Sequence, residues 1–476
     1  AFRELVSIDN PTLRERGVCD HLLRRYAALG IRLQEDGTEA AIGGNAGNLY
    51  AFVPGDEALA PVLLSAHTDA VSPACGKHAV FHPDGRITSD GTTVLGADDL
   101  AGQCAILEAV TSVLEDGAPH RPFELLFDAA EESYCTGIQQ FDFSRLRAKL
   151  AYVFDLSGPV GGAAYQAPSI LSFRAVFTGR AAHAAFSPEE GRHAIRAAAQ
   201  AAAQIPCGRV GELTVNIGTI AGGTADNIVP DRCTVTGEVR GFDHPLALQK
   251  LGEIEAVMQR AAAAEDCTVE FTSEVFCQAY RVDPAGEAAQ LFFGACARAG
   301  LEPRMTVTYG GSDNNHFCLH GLQGLVVAPG MNSCHSCQEY TSVDELTRAA
   351  KLAEVARAVG PADERLAAVT DALQQHVDRR EHIVDAAVDR DRQRAAVAQQ
   401  EVVHDHERDV GRERQPDRRG RDLQQRAPQR QHLARLRRHE AHAPPHQIAD
   451  GEQHRRRLPD DGRPRAAGHA PVKLPH

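Results

Sequence analysis

Val62-Leu63-Leu64-Ser65-Ala66-His67-Thr68-Asp69 is a short apolar run that ends abruptly on polar residues, two of them able to hold a metal. It reads as a strand, and the pattern recurs on either side of it. Gly47-Asn48-Leu49-Tyr50-Ala51-Phe52-Val53, Phe123 to Phe127 and Ala151 to Phe154 read as further strands, and Leu100 to Leu114 reads as a helix. Strands and helices in this alternation predict a doubly wound α/β sheet.

From about residue 168 the rhythm changes. Ile170 to Thr178 reads as a strand, Glu189 to Ile205 as an Ala-rich helix, Leu213 to Ile220 and Cys233 to Arg240 as strands, Pro245 to Ala264 as a helix, and Thr268 to Phe276 as a strand. This is the βαββαβ order of a ferredoxin-like domain. It reads as an insertion, because α/β features resume afterwards: a helix near 284–299, the strand Gly324 to Ala328, and a helix from Ser342, with Ser342 as N-cap. The expected organisation is a catalytic domain in two parts, 1–166 and 281–362, interrupted by a lid or dimerisation domain at 167–280.

The remainder, 363–476, differs in kind. Residues 1–360 hold 44 of the 64 acidic and 27 of the 50 basic residues, together with every Cys, Phe and Tyr. The last 116 residues have a slight basic excess and no aromatic side chain. Such a composition cannot build a core, so a disordered low-complexity tail is expected, or an out-of-frame translation of GC-rich DNA. The acidic body argues against nucleic-acid binding. No run approaches membrane-spanning length, and no basic-then-apolar leader opens the chain, so a cytoplasmic protein is expected. Ala1 is not a start Met, and Phe2-Arg3-Glu4-Leu5-Val6 reads as the interior of a helix, as though leading residues were missing. The 12 Cys are scattered, mostly within apolar runs, and read as reduced buried thiols rather than a disulfide framework.

Five short motifs place metal-competent side chains just beyond an expected strand or just before an expected helix. They are His67-Thr68-Asp69, Asp98-Asp99, Glu131-Glu132, Asp155 and His335. Strand C-termini of an open α/β sheet share one edge, so these distant residues can converge. Two His with several carboxylates suit zinc better than Mg²⁺ or Ca²⁺. Three carboxylates and two His are more than a single open zinc site takes, and a bridging carboxylate between two ions accommodates the set. Each motif alone has a plainer reading: a hydrogen-bonded pair at a strand end, helix capping by Asp98-Asp99, or a solvated Glu pair.

Leu64-Ser65-Ala66-His67-Thr68-Asp69, the segment Ser89 to Gly102 containing Gly96-Ala97-Asp98-Asp99, and Ala130-Glu131-Glu132 together resemble the peptidase T-like branch of the aminoacylase and carboxypeptidase G superfamily of co-catalytic zinc hydrolases. Gly179-Arg180-Ala181-Ala182-His183-Ala184, Gly222 to Asp231, Gly310-Gly311-Ser312-Asp313-Asn314 and His335-Ser336-Cys337-Gln338-Glu339-Tyr340 extend the likeness in order, from residue 2 to about 358. The resemblance implies two Zn²⁺ per subunit, with Co²⁺ or Mn²⁺ as substitutes, and Asp98 as the bridge. His67 and Asp155 would complete one site, Glu132 and His335 the other. It further implies a cis Asp98-Asp99 peptide, Asp69 orienting His67, and Glu131 as general base. His183 would reach the partner subunit's active site in a homodimer formed through the inserted domain. Asn227 and Arg240 match positions that contact substrate.

Where the pattern departs, Leu100 stands in place of a frequent Lys, and Ser133-Tyr134 replaces an apolar residue and Gly. Cys334 and Cys337 flank the His335 loop with a C-x-x-C spacing that reads as inert thiols, since no second Cys pair completes a zinc site. The implied activity is aminopeptidase action on short, tripeptide-like substrates. The alternatives are an N-acyl amino acid deacylase or dipeptidase on the same machinery, or a catalytically silent binding protein.

Overall fold

A computed structural model of the chain describes residues 1–117 and 119–354. The tail expected over 363–476, and the end of the second catalytic segment, lie outside these residues.

Four strands carry the catalytic edge. Phe123–Asp128, Val62–His67, Leu150–Val153 and Gln323–Val327 lie side by side in that order, all parallel, so their C-termini emerge together. Leu49–Val53 adds antiparallel to Phe123–Asp128, and Gly162–Ala167 adds antiparallel to Gln323–Val327. The opening stretch sits at the centre of this sheet, with every residue from Val62 to His67 buried. Its alternate side chains serve two cores. Val62, Leu64 and Ala66 pack with the helices Arg16–Ala28, Ala97–Asp116, Glu287–Ala299 and Val343–Ala353. Leu63 joins Ile138, Phe141 and Phe317 on the other face. A strand covered on both faces favours apolar residues on each, which is why the run is nearly continuous rather than alternating, and the buried Ser65 hydroxyl is satisfied by donating to the Leu126 carbonyl.

The second sheet, antiparallel throughout, has the order Gly208–Val210, Leu213–Gly222, Arg232–Gly241, Ser169–Thr178, Thr268–Cys277. Helices Ala194–Gln204 and His244–Ala264 cover one face of it and share a separate core with Phe173, Phe177, Val235 and Met258. The strand and helix order is the βαββαβ pattern with one short hairpin strand added. The first of these helices begins five residues later than the sequence pattern suggested. Pro188–Glu190 forms a separate 3₁₀ turn, Gly191 is extended, and His193 caps the helix by accepting the Arg196 N–H on its Nδ1. Ser342 caps the final helix, accepting from Glu345 N at 3.1 Å. No helix among the described residues is long and apolar enough to cross a membrane.

Helix Ala97–Asp116 contains non-helical backbone at Asp98 and Asp99, and the peptide between them is cis. Gly102, one turn later, lies against the end of a strand. A Cβ there would overlap the Asp99 carboxylate and the Phe154 carbonyl. Gly102→Ala should therefore cost about 2 kcal/mol by overpacking, read as a lowered denaturant midpoint at unchanged slope.

Candidate metal centre

His67 is the last residue of its strand, and its ring is fixed from both sides. Nδ1 lies 3.1 Å from the Asp69 carbonyl and 3.3 Å from Asp69 Oδ1. Nδ1–H therefore donates to Asp69, which leaves the Nε2 lone pair facing the site. Nε2 lies 3.0 Å from Asp98 Oδ1 and 3.8 Å from Asp155 Oδ1. On the opposite side, His335 Nε2 lies 3.3 Å from Asp98 Oδ2 and 3.1 Å from Glu132 Oε2. One oxygen of Asp98 thus faces each imidazole. The donors form two triads that share Asp98, His67 with Asp98 and Asp155, and Asp98 with Glu132 and His335, and a third group brings Glu131 close to His67 and Glu132.

Each ligand position follows from local structure. Thr68 ties the strand end to its neighbour, its N–H and hydroxyl both donating to the Asp128 carbonyl at 2.8 Å. Beyond Asp128 the chain turns sharply, with Ala130, Tyr134 and Cys135 all at positive φ around the 3₁₀ turn Glu131–Ser133. Asp69 fastens this turn too. Its Oδ1 accepts from Glu131 N at 3.0 Å and its Oδ2 from Glu132 N at 3.3 Å. One buried carboxylate therefore orients the first imidazole and both members of the Glu pair.

Two residues of this framework have roles that the sequence reading left unassigned. Glu339 is buried and accepts from Gly96 N at 2.7 Å and from Asp98 N at 2.8 Å, so it positions the Asp98 backbone from across the chain. Its burial pushes its carboxyl up to about 7. It stands four residues after His335, inside the same motif, which was the available signal. Asp99 accepts from Gly102 N at 3.1 Å and from His67 N at 3.2 Å. The capping role considered for the Asp pair is carried out by Asp99, while Asp98 faces the imidazoles.

The electrostatics call for a cation. Asp69, Asp98, Glu131, Glu132 and Asp155 crowd around two imidazoles, and among the described residues none of the five forms an ion pair with Lys or Arg. Burial, then the neighbouring Asp155, raises the Glu131 carboxyl well above its usual range. Burial, then Asp98, does the same to Asp155. The His335 imidazole is raised to about 11 by its bonds to Asp98 and Glu132. Glu132 Oε1 is buried without a hydrogen-bond partner. This mixed N/O donor set, with an orphaned carboxylate oxygen and excess negative charge, fits two borderline divalent ions sharing Asp98.

The remaining expected residues lie outside this cluster. His183 is exposed, accepts from the N–H groups of Ala185 and Phe186 at 3.2 Å, and stacks on the Phe186 ring at 4.2 Å. Asn227 is exposed on the facing segment, its carbonyl accepting from Ala184 N at 2.9 Å. The Arg240 guanidinium is engaged within the chain. Nε and Nη2 donate to the Glu238 carboxylate at 2.9 and 3.0 Å, and Nη1 donates to the Tyr309 carbonyl at 3.1 Å.

Comparison with known proteins identifies the family. A family model described as a peptidase dimerisation domain matches residues 165–266, and one described as peptidase family M28 matches residues 48–204. The protein YqjE of Bacillus subtilis is 32% identical over 352 residues, covering 74% of this chain and 95% of its own length. The crystal structure of aminopeptidase PepT from Bacillus cereus is 32% identical and superposes with a TM-score of 0.69, covering 75% of this chain and 96% of the other. The chain belongs to the peptidase T-like M20 metallopeptidases. A tripeptidase structure from Staphylococcus aureus adds to this, at 29% identity and a TM-score of 0.71, with 75% and 96% covered. As a peptidase T-like chain it carries its candidate metal donors along the C-terminal edge of the parallel strands.

Proposed function

We propose that this peptidase hydrolyses short peptides, releasing the N-terminal residue of tripeptide-like substrates, with two Zn²⁺ ions held by His67, Asp98, Asp155, Glu132 and His335. The observation that carries the reading is the pair of donor triads meeting at Asp98. Two zinc ions so placed would polarise the scissile amide and acidify the attacking water. Glu131, whose carboxyl is raised by burial and by Asp155, is suited to take the proton from that water and return it to the leaving amine. Asp69 holds the His67 tautomer and the Glu131 backbone, so that base and ligand keep one relative position.

The dimerisation-domain match over 165–266 supports a homodimer, and His183 of the partner subunit is assigned to stabilising the oxyanion. Asn227 and Arg240 are assigned to the substrate's carbonyl and carboxylate, and Arg240 must exchange Glu238 for the substrate to serve there. Twelve free thiols fit a cytoplasmic location.

The purified protein tests this on a panel of dipeptides, tripeptides and N-acylated amino acids, before and after chelation. Chelation should abolish turnover, and Zn²⁺, Co²⁺ or Mn²⁺ should restore it. Hydrolysis that survives complete metal removal would overturn the mechanism, and a preference for acylated amino acids would redirect the substrate assignment. For the role of His183, mixing His183→Ala with Glu131→Ala subunits should create a site with an intact base and an intact partner His. Partial recovery of activity is expected, and none would count against the shared site.

A further inference from the structure

A second group of metal-competent side chains lies beneath the Glu131 turn, built from three separate segments. Cys135 occupies the left-handed position just after that turn. Cys277 is the last residue of the strand Thr268–Cys277, where the chain leaves the five-stranded sheet. His316 lies on the helix Asp313–Leu319. All three are buried, and one donor atom from each falls within 4.8 Å of the others. Asp313, at the start of the same helix, is also buried and brings a carboxylate oxygen equally close to Cys135.

Two of these groups lack a well-formed hydrogen bond. His316 Nε2 and Asp313 Oδ1 are buried without one, His316 lying against the Cys277 thiol and Asp313 against the Asp128 carboxyl. Leaving such atoms unsatisfied costs about 1–3 kcal/mol each, so a native interior seldom gathers two of them beside a pair of thiols without something to bind. We infer that Cys135, Cys277 and His316 form a mononuclear site for Zn²⁺ or a similar thiophilic divalent ion, separate from the dinuclear centre, with Asp313, which lies close to Cys135, as the nearest carboxylate on the His316 helix.

The chemistry and the spacing both fit. Zinc takes thiolate and imidazole donors tetrahedrally, with bonds near 2.3 and 2.0–2.1 Å, which sets donor-to-donor separations of roughly 3.3–3.8 Å. The donors of Cys135, Cys277 and His316, already within 4.8 Å of one another, reach that by small side-chain rotations. A bound ion would displace the thiol protons, and the two thiolates so formed would neutralise its charge. The C-x-x-C spacing of Cys334 and Cys337 does not produce such a group. Among the described residues neither belongs to a metal-competent cluster, and Cys334 Sγ instead lies 3.3 Å from Ser157 Oγ.

The site joins elements that already meet beside it. Tyr134 stacks on Phe276 with ring centroids 3.9 Å apart, and Cys135 Sγ donates to Glu131 Oε1 at 3.4 Å. A bound ion would fasten the strand that leaves the five-stranded sheet to the turn that carries Glu131.

Cobalt substitution distinguishes this site from the dinuclear one, whose donors are all nitrogen or oxygen. The full-length protein, purified anaerobically, is stripped with chelator, loaded with Co²⁺ and dialysed, and its absorbance and metal content are measured. The expected result is a near-ultraviolet thiolate-to-cobalt charge-transfer band. The band should persist in Asp98→Asn, which disables the dinuclear centre. It should disappear in Cys277→Ser and in His316→Gln, each holding one ion fewer than the parent. Should either variant misfold by circular dichroism, the other and the parent spectrum carry the decision. Absence of the band in the parent, its survival in a folded Cys277→Ser variant, or a Cys135–Cys277 disulfide in the purified protein's peptide map would each overturn the site. Loss of the band in Asp98→Asn would do the same, by placing the cobalt chromophore at the dinuclear centre.

Discussion

Glu131→Ala should lower kcat by about 10²- to 10⁴-fold while the bound metal stays at the parent level. The separation of the two effects follows from geometry. The four contacts between imidazole nitrogens and carboxylates that define the two triads sharing Asp98 involve Asp98, Asp155 and Glu132; Glu131 lies close to His67 and Glu132 but makes none of these contacts. A proton acceptor that acts only as the water attacks affects the transition state and not the ground state, so kcat and kcat/KM should fall together at constant KM. The same residue should oppose stability in the metal-free protein. Its carboxyl is raised by burial and by Asp155 nearby, so ionised Glu131 is unfavourable there. Glu131→Gln should therefore melt no lower than the parent when both are metal-free, though it is equally inactive. Activity measurements, metal analysis and thermal melts of the two variants check this. A loss of metal in proportion to the loss of activity would make Glu131 a ligand rather than a base.

The parts of this site that were legible in the sequence were those that follow from periodicity. An apolar run must end somewhere, and in a parallel sheet the ends share one edge. His67, Glu131, Asp155 and His335 could therefore be placed near one another from strand positions alone. What periodicity does not carry is the direction of individual side chains. The pairing of Arg240 with Glu238 depends on two residues pointing the same way from one strand, and the Glu339 contact to Asp98 N joins loops 241 residues apart. The Cys135, Cys277 and His316 group was illegible for the same reason, since spacing rules recognise metal ligands only when they are close in sequence. The helix beginning at Ala194 rather than Glu189 was obscured by local chemistry, because Pro188 and two Glu also suit the first turn of a helix. Ser133-Tyr134, which read as a departure from the family pattern, has a packing explanation in the Tyr134–Phe276 stack.

Asp98→Asn should have the larger effect on metal, removing both ions and abolishing turnover, because Asp98 is the group that both triads share. Its Oδ1 faces His67 Nε2 at 3.0 Å and its Oδ2 faces His335 Nε2 at 3.3 Å. An amide keeps the shape but turns one of these oxygens into an NH₂ donor, which cannot ligate a cation, and removes the negative charge common to both sites. Asp69→Asn provides the contrast. Asp69 lies behind His67 and touches neither His335 nor Asp98 through its side chain; it accepts from the ring and from the Glu131 and Glu132 backbone. Weakening such a supporting contact typically lowers metal affinity by about 10- to 100-fold, which excess metal can overcome. Titration of zinc-stripped protein with Zn²⁺, followed by activity and by calorimetry, should therefore show Asp69→Asn recovering at higher metal and Asp98→Asn failing to recover at any concentration. Full activity with two retained ions in Asp98→Asn would show that the two triads do not share a bridge, and that each imidazole pairs with its metal through the remaining carboxylate alone.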